Sequence, residues 1–272
     1  MDVHCALMLD VRSLLRPGLT PQQIGNSWDF GGPAATSSWE RQQAESVDRY
    51  QEESYEADET LGVLFGDFIG ATVSRQGLVL DIGCGLHSQF PHYVKQLPIE
   101  HFLGIEPLRN PVDRVFPCLT GVIAEQIPLI DDCANAALFA TSLDHIADAK
   151  TAISEVLRVL KRGAPLYFWL GVHDPHLLAE SKSFGVVHNH SSGLRRIARI
   201  IGAPIEHLHL MNRMKMQASR LSSGVPLDKA HARYHTAATI DQEMASYGLE
   251  IVRRVLVPGS ASLFVEAHAV IA

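Results

Sequence analysis

No Cys-x-x-Cys pair occurs anywhere in this 272-residue chain, and its four cysteines, Cys5, Cys84, Cys118 and Cys133, are scattered. That spacing argues against a disulfide framework and against a structural zinc site, and a reducing cytoplasm is the simplest setting for it. No window of about 18 apolar residues exists, so no membrane span is expected, and the N-terminus with Asp2 and Asp10 around a short apolar run is not a signal peptide. Basic residues are in deficit, 23 against 30 acidic, a net charge of −7 that repels a phosphodiester backbone. A nucleic-acid partner is therefore not expected. Repeats and low-complexity tracts are missing as well.

What is present is strand–helix alternation. Residues 1 to 37 read as irregular, and Ser37 with Glu40 suggests a capping box that opens a polar helix. Leu61, Leu64, Phe65, Phe68 and Ile69 recur at helical spacing. From Leu78 the strands LVLDIG, HFLGIE, GVIAE, NAALFATS and PLYFWLGV follow one another, with a helix predicted over Phe90 to Leu97. Another helix carries Ile153, Val156, Leu157 and Leu160 on one stripe and stops at Gly163. Thr239 and Gln242 suggest a capping box on a closing helix, and the end reads as a hairpin turning at Pro258-Gly259. The pattern predicts an α/β fold: a doubly wound, mostly parallel seven-stranded sheet with an antiparallel last strand. A helical N-terminal lid segment would span 1–73 and the core domain 74–272, with a substrate-lid insertion at 173–235.

The turn in LVLDIGCGLHS raises the question of its ligand. A phosphate loop needs Gly-Lys-Ser/Thr after the glycines, and no lysine is there. A dinucleotide fold wants a third glycine or alanine where Ser88 stands, and Asp81 would repel a nearby pyrophosphate. S-adenosylmethionine, cationic at sulfur and at its ammonium, suits a carboxylate at that strand end. Glu106, closing the second strand, is placed for two ribose hydroxyls, although a dinucleotide fold puts an acid there too.

From Leu78 to its end the chain resembles the class I S-adenosylmethionine-dependent methyltransferases, especially those acting on small molecules. The blocks that carry the resemblance are LVLDIGCG, GIEP, AEQIPLIDD and SLDHIADAKTAISEVLRVLKRGAPLYF, in that order. The chain departs from the pattern at His87, where a third glycine is common, and at Ile123, where an acid often meets adenine. The resemblance implies S-adenosylmethionine as cofactor, with Asp81, Gly83, Cys84 and Gly85 along the methionine part. It implies Glu106 and Pro107 at the ribose, Ala124 and Glu125 at the adenine, and Thr141 and Ser142 near the methyl. A bare strand-to-helix turn and a solvated loop acid are the plain alternatives for the glycines and for Glu106.

The expected activity is methyl transfer to an oxygen or nitrogen of a small-molecule acceptor, in natural-product biosynthesis, by a protein compatible with a homodimer. A peptide or carrier-bound acceptor, or cofactor binding without turnover, are the alternatives. A hydroxyl acceptor needs a base, and histidine suits neutral pH. Among fourteen histidines, His145 and His173 follow the fourth and fifth strands and are the catalytic candidates, with packing the competing role for each. His188 with His190, and His207 with His209, have i, i+2 spacing but no accompanying carboxylate or cysteine, so no metal site is expected. HARYH, His231 to His235, is expected beside the closing helix. The arginines of LRRIARIIGAP suit either a solvated helix face or an anionic acceptor.

Overall fold

The computed structural model describes residues 9–31, 55–74, 77–95, 97, 99–109, 113–174, 177 and 232–270. A short α1 (Val11–Leu14) leads to a hairpin of β1 (Gln22–Ile24) and β2 (Ser27–Asp29). Then come α2 (Tyr55–Gly70), β3 (Leu78–Ile82), α3 (His92–Lys95), β4 (His101–Glu106), β5 (Cys118–Thr120) and β6 (Ala136–Ala140). A 3₁₀ turn (Leu143–His145), α4 (Ala149–Val159), β7 (Leu166–Gly171), α5 (Ile240–Ser246), β8 (Leu249–Leu256) and β9 (Ser262–Ala269) complete the described residues.

The strands of the described residues join one sheet in the order β1-β2-β5-β4-β3-β6-β7-β9-β8. The strands from β2 to β7 pair in parallel, and β9 runs antiparallel to β7 and to β8. The sheet separates two apolar layers because successive side chains of a strand point to opposite faces. Leu78, Leu80 and Ile82 of β3 enter one layer with Ile153, Val156, Ile240 and Met244. Val79 enters the other with Phe65, Phe68 and Ile69 of α2. Each such fully buried side chain stabilises the fold by roughly 1.5–3 kcal/mol. Strand β3 is buried along its whole length, which explains why it shows no apolar–polar alternation in sequence.

Asp148 starts α4 by accepting from the Thr151 amide at 3.0 Å, and Gly163 stands beyond its end with φ of 77°.

Three details correct the sequence reading. Residues 22–29 are not irregular: Gly25, at φ 58°, turns a hairpin whose second strand lies parallel to β5, so the seven expected strands are joined by two more. The third parallel strand is Cys118–Thr120 rather than 121–125, because the left-handed Gly121 (φ 70°) ends it. Thr239 does not cap α5 with its side chain; its hydroxyl pairs with that of Thr236 at 2.7 Å. The helix expected from Ser37 lies outside the described residues, as does nearly all of the 173–235 insertion.

Candidate active site

The carboxyl ends of β3, β4, β6 and β7 meet along one edge of the sheet, where open α/β sheets take their ligands. Gly83 begins the turn after β3 with φ of 74°, and a Cβ there would stand 2.7 Å from the Cβ of Ser142. Only glycine fits both constraints. The amides of Gly83 and Cys84 donate to the carbonyl of Ile105 at 2.8 and 3.2 Å, and the Ser142 hydroxyl donates to the carbonyl of Ile82. The turn is thereby tied to the neighbouring strands on both sides.

Cys84 contributes only its backbone to this edge. Its thiol is buried under β4, 3.7 Å from the thiol of Cys118, and contact with Cys118 together with burial pushes it well above the ordinary range.

Glu106 ends β4 and is 4% exposed. Its Oε2 accepts from the Gly85 amide at 2.8 Å and its Oε1 from the Leu108 amide at 3.0 Å. Burial raises its pKa, against the lowering effect of these two amides. A carboxylate has about four lone-pair directions, so each oxygen keeps capacity for a further hydroxyl donor. Asp81 is wholly buried, and burial pushes its pKa up to about 7. Its Oδ2 accepts from the Tyr93 hydroxyl at 2.7 Å, while Oδ1 has no hydrogen-bond partner.

Arg114, which sequence reasoning missed, lies fully buried beside this cluster and donates from Nη1 to the carbonyl of His87 at 2.8 Å. Its sole sequence signal is a lone basic residue between prolines 111 and 117. Pro107 is half-buried, Ala124 is buried, and Glu125 accepts from the Asp148 amide at 3.3 Å in the turn following β5.

On the other half of the edge, Thr141 leaves β6 with φ of 55°. A β-branched residue in the left-handed region is strained, and this one is exposed. His145 sits in the 3₁₀ turn with Nε2 3.7 Å from Oδ1 of Asp144. His173 follows β7; its amide donates to the carbonyl of His235 at 2.8 Å and its ring meets Tyr234 edge-on at 4.6 Å.

His235 pairs with the end of β7 through Val172, and its Nδ1 lies 2.8 Å from Oε2 of Glu243 on α5. Tyr247 donates to the other Glu243 oxygen at 2.9 Å and receives from Arg233 at 2.8 Å. Burial raises the Glu243 pKa, but the hydrogen bond from His235 and the nearby charges outweigh it and leave the carboxyl below its ordinary value. An ionised Glu243 accepts from Nδ1, which leaves Nε2 as the ring nitrogen turned away from the carboxylate. That Nε2 is buried without a hydrogen-bond partner. Sequence reasoning set His235 beside the closing helix but did not pair it with Glu243, eight residues on. The pairs at 188/190 and 207/209 lie outside the described residues.

The donor set fits a sulfonium nucleoside: a cradle that a Cβ at Gly83 would fill, an unpartnered buried acceptor on Asp81, and Glu106 with capacity for two hydroxyls. Among the described residues no helix is long and apolar enough to cross a membrane.

Residues 80–168 match a family model described as a methyltransferase domain. No curated protein sequence matches the chain significantly. Among solved structures, a possible histamine N-methyltransferase from Thermotoga maritima aligns over 84% of this chain and 99% of its own at 15% identity, with a TM-score of 0.50. The 1,6-didemethyltoxoflavin N1-methyltransferase of Burkholderia thailandensis, solved with 1,6-didemethyltoxoflavin and S-adenosylhomocysteine, aligns over 92% and 99% at 12% identity, with a TM-score of 0.51. The cyclase SpnF aligns over 89% and 99% at 15% identity, with a TM-score of 0.52. At these identities the likenesses establish the fold. The domain match over residues 80–168, together with these shared folds, identifies a methyltransferase domain within the chain and points to S-adenosylmethionine as its cofactor.

Proposed function

We propose that this methyltransferase acts on an oxygen or nitrogen of a small-molecule acceptor, in the cytoplasm. The observation that carries the reading is the junction of Glu106, the Gly83–Gly85 turn and the exposed Thr141 along one sheet edge. Bound S-adenosylmethionine supplies a methyl group activated by its sulfonium. The chain's own task is to hold and align it, exclude water and manage the acceptor's proton. In this reading Glu106 with Pro107 holds the ribose, and Ala124 with Glu125 lines the adenine. Asp81, Gly83, Gly85 and the backbone of Cys84 line the methionine part, with Thr141 and Ser142 beside the methyl. The fully buried thiols of Cys84 and Cys118 are free, which supports a reducing compartment.

For a hydroxyl acceptor, the O–H proton leaves as the oxygen–carbon bond forms, and a bare imidazole nitrogen takes it. His145 and His173 stand for that role by position. His235 is favoured by its orientation, because Glu243 at 2.8 Å holds its ring and can stabilise the imidazolium that forms. Calorimetry with S-adenosylhomocysteine and with NAD, followed by transfer of a tritiated methyl from S-adenosylmethionine to matched sets of phenols and anilines, tests the reading. Binding of S-adenosylhomocysteine alone and label in a small acceptor are expected. Binding of NAD, or label appearing only in protein, would count against it.

A further inference from the structure

The N-terminal hairpin does more than widen the sheet. In the strand register Asp29 stands opposite Thr120, and Thr120 stands opposite Glu106, so three strand ends form one row. With neighbouring strands about 4.8 Å apart, roughly 10 Å of backbone separates Asp29 from Glu106. Arg109, three residues after Glu106, closes that gap. Its Nε donates to Asp29 Oδ1 at 3.0 Å and its Nη2 to Oδ2 at 2.7 Å, a two-pronged grip that a lysine could not copy. The hydrogen bond from Arg109 holds the Asp29 carboxyl below its ordinary value, against a smaller effect of burial.

Both ends of the grip are anchored. Asp29 Oδ1 also accepts from the Gly31 amide at 2.9 Å, and the Phe30 amide donates to the carbonyl of Thr120 at 3.0 Å. Trp28, next to Asp29, is buried beneath the guanidinium of Arg12, 5.4 Å from its ring. On the other side Leu108, next to Arg109, donates its amide to Glu106 Oε1. The short loop 107–109 is therefore pinned at adjacent residues, once to Glu106 and once to Asp29.

We propose that Asp29 is a positioning residue for the cofactor: through Arg109 it fixes the loop 107–109, and with it the carboxylate of Glu106 that receives the ribose. This rests on the assignment of Glu106 made above. The Arg109 side chain is half exposed, and an ion pair in that setting adds little to stability. Its contribution is to geometry, in the way that outer partners orient the groups that touch a ligand.

The test is calorimetry with S-adenosylhomocysteine on the full chain, beside thermal unfolding of the ligand-free protein. Asp29→Ala and Arg109→Ala are each expected to weaken binding about tenfold with only a small change in melting temperature. The double variant should be no weaker than either single one, since both remove the same grip. Arg109→Lys should recover little. Arg254→Ala, which breaks the exposed pair with Asp241 on the far side of the sheet, is the control and should leave affinity unchanged.

If the wild type fails to bind S-adenosylhomocysteine, the methyltransferase reading falls and this inference with it. If Glu106→Ala binds normally, the ribose assignment is wrong. If wild type binds, Glu106→Ala does not, and Asp29→Ala with Arg109→Ala bind like wild type, the positioning role of Asp29 is overturned while the reading of the site stands.

Discussion

The two halves of the sheet edge are built differently. At the ends of β3 and β4, Glu106 is met on both oxygens by backbone amides, and the glycine turn hangs from Ile105 and Ile82. At the ends of β6 and β7, Thr141 is exposed in a strained backbone and the His235 Nε2 is buried without a hydrogen-bond partner. The first half is built around main-chain amides and carbonyls of the strand ends, an arrangement that suits an invariant ligand. The second half holds His235 and Glu243 by side-chain contacts and retains strain at Thr141. That suits chemistry which must be matched to a particular acceptor.

The comparison breaks most sharply at His235. His235→Gln is expected to lower turnover of a phenolic acceptor by about 10²–10⁴-fold, with S-adenosylhomocysteine affinity within about threefold of wild type. The deficit should shrink as pH approaches the ionisation of the phenol, when no base is required. A flat, pH-independent loss would assign His235 to scaffolding.

Glu106→Ala tests the other half. Loss of two charge-assisted hydrogen bonds should weaken S-adenosylhomocysteine binding on the order of a hundredfold in calorimetry. Because Glu106 also holds Gly85 and Leu108, its melting temperature should fall as well.

Asp81 gives a pH-dependent prediction. Its carboxyl titrates at about 7 in the folded chain against 3.8 when exposed. Between those values the native state holds a proton that the unfolded chain has released, so this group's contribution falls as pH rises from about 4 to about 7 and is level above that. Asp81→Asn, which keeps an acceptor for Tyr93, should raise the melting temperature at pH 8 by several degrees and change it little at pH 4. The gain is on the order of a few kcal/mol. An equal shift at both pH values would contradict the assignment of burial as the cause.

The smallest effect is expected at Thr141. Thr141→Gly relieves the left-handed strain and should stabilise by about 1 kcal/mol in urea unfolding while slowing transfer. A destabilised variant would mean that the threonine side chain packs more than it strains.

Much of this layout was legible beforehand. The buried strand of β3, the turn at Gly83 and the acid at Glu106 are local features, written in apolar runs and in glycines that few other residues can replace. The stripe of α4 was equally plain, because helical period and cap lie within a dozen residues. The β1–β2 hairpin escaped notice since its strands are three residues long, too short to show a period. The end of β5 was misjudged because Gly121 could be read as a strand residue until its φ was known.

By itself the sequence determined the fold class and the glycine turn after β3, since each depends on neighbours a few residues apart. Only the tertiary structure decided that Asp29 shares a row with Glu106, that Glu243 orients His235, and that Arg114 lies buried beside Asp81. Those contacts arise from strand register and helix packing, which bring together residues whose separation along the chain leaves no local pattern.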